Sequence, residues 1–137
     1  MLGKRKIRKN TLGLIFGYDF NKDESYKEYY DKAYENFCCE DDEEESVKNK
    51  FFGICENIEA IDAKIAEYLQ GWSINRLSKT TLSIMRISVH EMLYTDLPHP
   101  ISINEAVELA KEYAEDGAPN YINGVLNKIS KSGKENA

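Results

Sequence analysis

The residues best equipped for chemistry stand at the front of the chain. In KRKIRKN, residues 4–10, five of the six positions from Lys4 to Lys9 are cations: Lys4, Arg5, Lys6, Arg8 and Lys9. No acid precedes Asp19. The whole chain carries −6, so removing the +5 of this stretch leaves −11. What such a cluster offers is electrostatic: it can neutralise a polyanion and release its condensed counterions. The cluster sits at the front of a predicted helix, where cations oppose the dipole. Lys4 and Arg8, like Arg5 and Lys9, are four apart and repel each other at helical spacing. Local stability does not select this pattern. Nucleic-acid phosphate would relieve both penalties; the alternative is a flexible, solubilising arm. The acidic remainder would repel nucleic acid everywhere except at a defined patch.

Catalytic chemistry finds less support. There are two histidines: His90 inside an apolar helical stretch and His99 between Pro98 and Pro100. Neither pairs with a serine or cysteine and an acid at a recognisable spacing. No HExxH, phosphate-binding loop or GxGxxG occurs. The three cysteines, Cys38, Cys39 and Cys55, form no CxxC and no disulfide framework. They read as buried or half-buried thiols in a reducing cytoplasm. The expectation is a binding protein rather than an enzyme, with no cofactor and no metal.

The elements that must position these residues are helical. The chain has 137 residues, which fits one domain over 1–137 with a proper core. Its 42% hydrophobic and 31% charged content suits a globular protein rather than a disordered one. No apolar run approaches the length of a membrane span. The basic start lacks the apolar segment of a signal peptide.

Apolar residues recur at helical spacing almost throughout. Leu12, Ile15, Phe16 and Phe20 fit one face; Tyr26, Tyr29, Tyr30, Ala33 and Phe37 fit another. The run EDDEEE, residues 40–45, reads as a loop entering a helix N-terminus. Val47 to Leu69 continues the spacing, with Asp62 as a possible fresh cap and Gly71 as a stop. Ser78 is placed to cap a helix running to about Tyr94. That helix is apolar on most sides, so it should be central and buried. Arg86 and Glu91 inside it should find buried partners. Ser102 and Glu105 match a capping box, Gly117 a stop and Pro119 a first turn. Gly124, in mid-helix, calls for a close helix–helix contact. From Ser130 the polar tail should fray. No strand and no repeat is expected.

Residues 77–129 resemble the NusB family. The most specific segments are IMRISVHEM (84–92), ISINEAVELAKEY (101–113) and YINGVLNKI (121–129). The N-terminal basic run, the helix ending at Tyr18, and Trp72 before the central helix also fit, and the length matches stand-alone members. Residues 21–60 match in helical pattern only.

The resemblance implies an all-α fold of about seven helices forming two small helical bundles around a long central helix. It implies no enzymatic activity. It implies binding of boxA-type single-stranded RNA together with NusE, a small-subunit ribosomal protein. That pair serves an RNA polymerase antitermination complex that reads through terminators on ribosomal RNA operons. Carried over, the RNA-binding residues are Lys4, Arg5, Lys6, Arg8, Lys9 and Tyr121. For Tyr121, stacking on an unpaired base and a role as core anchor stay equally open. The partner-binding residues are Tyr18, Ser78 and Thr81. A homodimer is left open.

The chain departs from the family pattern in several places. Its basic run favours lysine over arginine, which weakens bidentate phosphate recognition. Asn10 stands where a further cation is common, and Thr81 where some relatives carry an acid that meets NusE. Gly117-Ala118-Pro119 replaces a polar cap, and His90 an aromatic. Two other classes of function remain. One is the RNA-positioning domain of an rRNA-modifying enzyme, which would need a catalytic domain beyond Ala137. The other is a protein-only interaction module.

Overall fold

The computed structural model describes residues 2–34, 41–69 and 73–135. Seven α-helices and one 3-10 turn occur among them, with no strand. The expectations placed on Phe37, Cys38, Cys39, Glu40, Gly71 and Trp72 fall outside the described residues. The chain divides into two compact units, Met1–Glu56 and Asn57–Ala137.

The first unit holds α1 (Leu2–Tyr18), α2 (Tyr26–Tyr34) and α3 (Asp41–Glu56). Its core combines Leu12, Leu14 and Ile15 of α1 with Tyr30, Val47, Phe51 and Ile54. Phe51 is fully buried, and the rings of Tyr18, Tyr26, Tyr29, Tyr30 and Phe52 lie 6.0–6.4 Å from it. These are edge-on, tilted and stacked arrangements that aromatic quadrupoles favour. Gly17 permits this packing, because a Cβ there would run into the Tyr29 hydroxyl. Ser25 caps α2 by accepting from the Glu28 N–H at 3.2 Å. The acidic run opens α3 directly, with Asp41 its first residue, where a helix favours negative charge. Phe16 and Phe20 do not join the core as their spacing suggested; they are 38% and 62% exposed.

The second unit holds α4 (Ile58–Glu67), the 3-10 turn (Ile74–Arg76), α5 (Lys79–Tyr94), α6 (His99–Tyr113) and α7 (Ala118–Glu135). Every residue of α5 from Thr81 to Met92 is buried. Its centrality is one of burial rather than length, since at 16 residues it is shorter than α1 (17) and α7 (18). A helix this buried must satisfy its polar groups internally. The Arg86 guanidinium donates twice to Asp62, from Nε and one Nη, at 2.8 Å each. Ser83 donates to the Lys79 carbonyl. The Ser102 hydroxyl donates to Glu91 at 2.8 Å, leaving its oxygen to accept from Ser88 at 2.8 Å.

Several local expectations give way to these longer-range bonds. Asp62 does not cap a helix; it lies within α4 and holds Arg86. Ser102 is no cap either, because α6 begins earlier, at His99, with Pro98 at the cap position and Pro100 in the first turn. The serine is worth more as a buried link to Glu91 than as a surface cap. Helix α6 ends at Tyr113, before Gly117; the glycine, at φ +88°, instead makes the left-handed turn into α7. Gly124 faces open space, and no neighbouring helix explains it. Helix α7 continues past Ser130 to Glu135, with Ser130 and Ser132 buried. His99 Nε2 donates to the Met92 carbonyl at 3.2 Å, and its Nδ1 is hydrogen-bonded to the Ser130 hydroxyl at 2.8 Å.

Candidate nucleic-acid and partner interface

The candidate residues fall into two groups, one in each unit. In the first, the cations form no arm ahead of a helix. Helix α1 starts at Leu2, so all five lie within its first turns. Lysine and arginine are good helix formers, and Leu12, Leu14 and Ile15 anchor the helix behind them. Lys4, Arg5, Lys6 and Lys9 are exposed, whereas Arg8 is only 6% exposed. The helix therefore separates one cation from the other four, and Arg8 belongs to the buried side with Thr11 and Leu12.

Tyr18, expected at a protein contact, is engaged within its own unit. Its hydroxyl donates to the Glu24 carbonyl at 3.0 Å, closing the α1–α2 loop. Its ring packs 5.4 Å from Tyr29. Burial pushes the phenol above its ordinary value, and Cys55 and Glu24 add to that.

In the second unit the expected residues converge. A recess of about 220 Å³ opens between the N-termini of α5 and α7, lined by Arg76, Ser78, Thr81, Glu115, Gly117 and Tyr121 among others. Ser78 caps α5 as expected, accepting from the Thr81 N–H at 3.1 Å. Ser78 and Thr81 both donate to one oxygen of Glu115, at 3.0 and 2.7 Å. The Thr81 bond is the main reason that carboxyl is held below its ordinary value; burial opposes it. Glu115 was not legible in the sequence, since its partners lie 34 and 37 positions away. It brings an acid to Thr81, the position where the resemblance left one missing.

Tyr121 is half-buried on the wall of this recess. Its hydroxyl is sealed from solvent with no hydrogen-bond partner, and burial raises its pKa. A buried phenol without an acceptor is costly. Tyr121 and the pair Ser78–Thr81, assigned to different ligands from the sequence, thus share one site. Among the described residues, no group of three or more His, Cys, Asp or Glu side chains could hold a metal ion. No helix there is long and apolar enough to cross a membrane.

Comparison with known proteins follows the same lines. A sequence model described as the NusB family matches residues 5–131. The transcription antitermination protein NusB of Clostridium novyi (strain NT) is 39% identical over 139 residues, spanning 96% of this chain and all of that protein. Among solved structures, "T. maritima NusB" superposes with a TM-score of 0.83 at 31% identity, covering 93% of this chain and 89% of its own. A NusB solved as "antitermination factors NusB and NusE in complex with dsRNA" gives 0.80 at 26% identity, covering 96% and 98%.

Proposed function

The chain belongs to the NusB family, and on that premise we propose that it is a transcription antitermination factor that binds RNA together with NusE. The finer reading is a boxA-type single-stranded RNA, held for an RNA polymerase that must pass terminators on ribosomal RNA operons. Residues 1–137 act as one RNA- and protein-binding domain, in the cytoplasm, and no bond is made or broken.

One observation carries the RNA half of this reading: four exposed cations, Lys4, Arg5, Lys6 and Lys9, on the first turns of a helix in a chain of net charge −6. Each phosphate neutralised there releases counterions. Tyr121 adds an aromatic side chain on the wall of the recess. Ser78, Thr81 and Glu115 supply the polar wall on which a protein partner such as NusE would rest, and Tyr18 supports its own unit from within.

The test is a titration of boxA-type RNA against the full chain and against Lys4, Arg5, Lys6 and Lys9 all changed to Gln, with and without NusE, at two salt concentrations. Wild-type affinity should rise with NusE and fall with salt, with a log–log slope of about −0.7 per phosphate. The substituted chain should lose most of the affinity and most of the slope. Equal binding by the two proteins would sink the reading.

A further inference from the structure

The turn from α5 into α6 carries apolar side chains outward. Leu93, Tyr94 and Ile101 are 43%, 46% and 49% exposed. Pro98 and Pro100 between them are exposed as well, and Leu97 is half-buried. Single apolar residues on a surface are ordinary, but a run of them at the tip of one helical hairpin forms a patch, and a patch marks a binding surface.

The tip is held in place before any ligand arrives. The Thr95 hydroxyl donates to the Glu91 carbonyl at 2.6 Å and accepts from the Leu97 N–H at 3.3 Å. The His99 ring ties the turn to Met92 of α5 and Ser130 of α7. Prolines fix the backbone at positions 98 and 100. The Tyr94 ring stacks on His90, centroids 5.6 Å apart at 29°. A surface ordered in advance loses little entropy on binding.

The surrounding charge says what covers it. From Ile87 to Ala110 the chain holds no lysine or arginine. Asp96 is exposed in the turn itself. Glu105 and Glu108 follow, half-buried, along α6, with Glu108 paired to Lys111 at 3.2 Å. Helix α5 has no basic residue in its last turn, so the negative end of its dipole meets no cation of its own helix. Helix α4, packed on α5, brings Glu59 in its first turn and sets Lys64 against Glu67 at 3.9 Å. Cations border the tip on the α7 side, where Lys128 and Lys131 are exposed beyond the His99–Ser130 contact. The apolar patch thus has a negative edge at Asp96. That edge repels nucleic-acid phosphate and complements a protein that sets lysine or arginine beside apolar side chains.

We infer that the α5–α6 turn is a docking surface for a cationic protein segment, whose apolar side chains cover Leu93, Tyr94 and Ile101 while a lysine or arginine meets Asp96 and the C-terminal end of α5. It lies at the opposite end of α5 from the recess at Ser78 and Thr81, and it is independent of the RNA reading above.

The probes are two amphipathic helical peptides about five turns long, one of leucine and lysine, the other of leucine and glutamate. Each is titrated into the nitrogen-15-labelled full chain and followed by amide chemical shifts. The leucine–lysine peptide should shift amides of residues 90–105, and the leucine–glutamate peptide none of them. Leu93→Ser with Ile101→Ser should weaken leucine–lysine binding at least about tenfold. Far-ultraviolet circular dichroism should stay unchanged, because both side chains are exposed. Asp96→Asn should weaken binding about twofold to fivefold and flatten its salt dependence. Both variants should keep wild-type affinity for boxA-type RNA and for NusE. Equal binding of the two peptides, shifts centred away from the turn, or unchanged binding by the double variant each overturn the inference. A double variant that loses RNA or NusE also overturns it, since the turn then belongs to the interface already proposed. A wild type that sediments as a dimer beside a monomeric double variant identifies a second copy as the occupant, and overturns the cationic segment too.

Discussion

The Thr81 hydroxyl lies 2.7 Å from the Glu115 carboxylate, a contact that joins the first turn of α5 to the segment leading into α7. Ser78 shares the same carboxylate oxygen. The helix N-terminus therefore has two stabilisers, a serine that caps the backbone and an acid that answers the dipole.

Replacing Glu115 with Ala should cost about 1 kcal/mol at neutral pH, because both hydroxyls lose their acceptor. The folded-state pKa of this carboxyl lies below its ordinary 4.5. Its contribution is therefore whole above that value and is lost as pH falls through the lowered one. Urea unfolding of the wild type and the Glu115→Ala variant at a series of pH values should show the gap narrowing only below about pH 4.5. A gap independent of pH would mean that the charge does not matter.

Two glycines in helices should respond in opposite senses to alanine. Gly17→Ala drives a methyl into Tyr29 and should destabilise by about 1–3 kcal/mol. Gly124→Ala meets open space and should stabilise by roughly 0.5–1 kcal/mol. Thermal melts of the two variants side by side settle both signs.

Arg8 and Lys9 are sequence neighbours with different environments, one 6% exposed and the other exposed. Lys9→Gln should leave stability within about 0.5 kcal/mol and make the RNA salt slope shallower by about 0.7. Arg8→Gln should lower the unfolding midpoint and leave the salt slope at its wild-type value. A reduced slope for Arg8→Gln would place that guanidinium at the RNA after all.

Tyr121→Phe removes a hydroxyl that has no partner in the free chain. Stability should be unchanged or rise by up to about 1 kcal/mol. Affinity for RNA or NusE should fall, whichever of them supplies the acceptor, and separate titrations with each will identify it. Loss of stability without loss of either affinity would make Tyr121 a core anchor and nothing more.

What could be read from the sequence was what acts over one or two turns. Apolar spacing located six helical stretches, because a 3.6-residue period repeats within a short window, but it ran on from Val47 to Leu69 and so missed the break between α3 and α4 at Asn57. Ser78 was recognisable as a cap, since its bond reaches three residues. Ser102 carries the same local signature, yet its partners, Ser88 and Glu91, belong to another helix. The same holds for Asp62, claimed by Arg86 24 positions away, and for Glu115. Phe16 and Phe20 fit the periodicity of a buried face but stay 38% and 62% exposed, packed on each other. Local pattern predicts where a helix runs; which polar group wins a buried partner depends on the tertiary arrangement.

Because α1 sets Arg5, Lys9 and Phe16 on one rigid spiral, the first sixteen residues behave as a ruler. A residue inserted between Lys9 and Phe16 would swing the rings by about 100° relative to the charges and throw Leu12 and Ile15 out of phase with the core. Descendants of this chain can vary the exposed residues of this helix at small expense to the fold. They cannot change the count. Drift in this segment should be recorded in the identity of residues and hardly at all in its length.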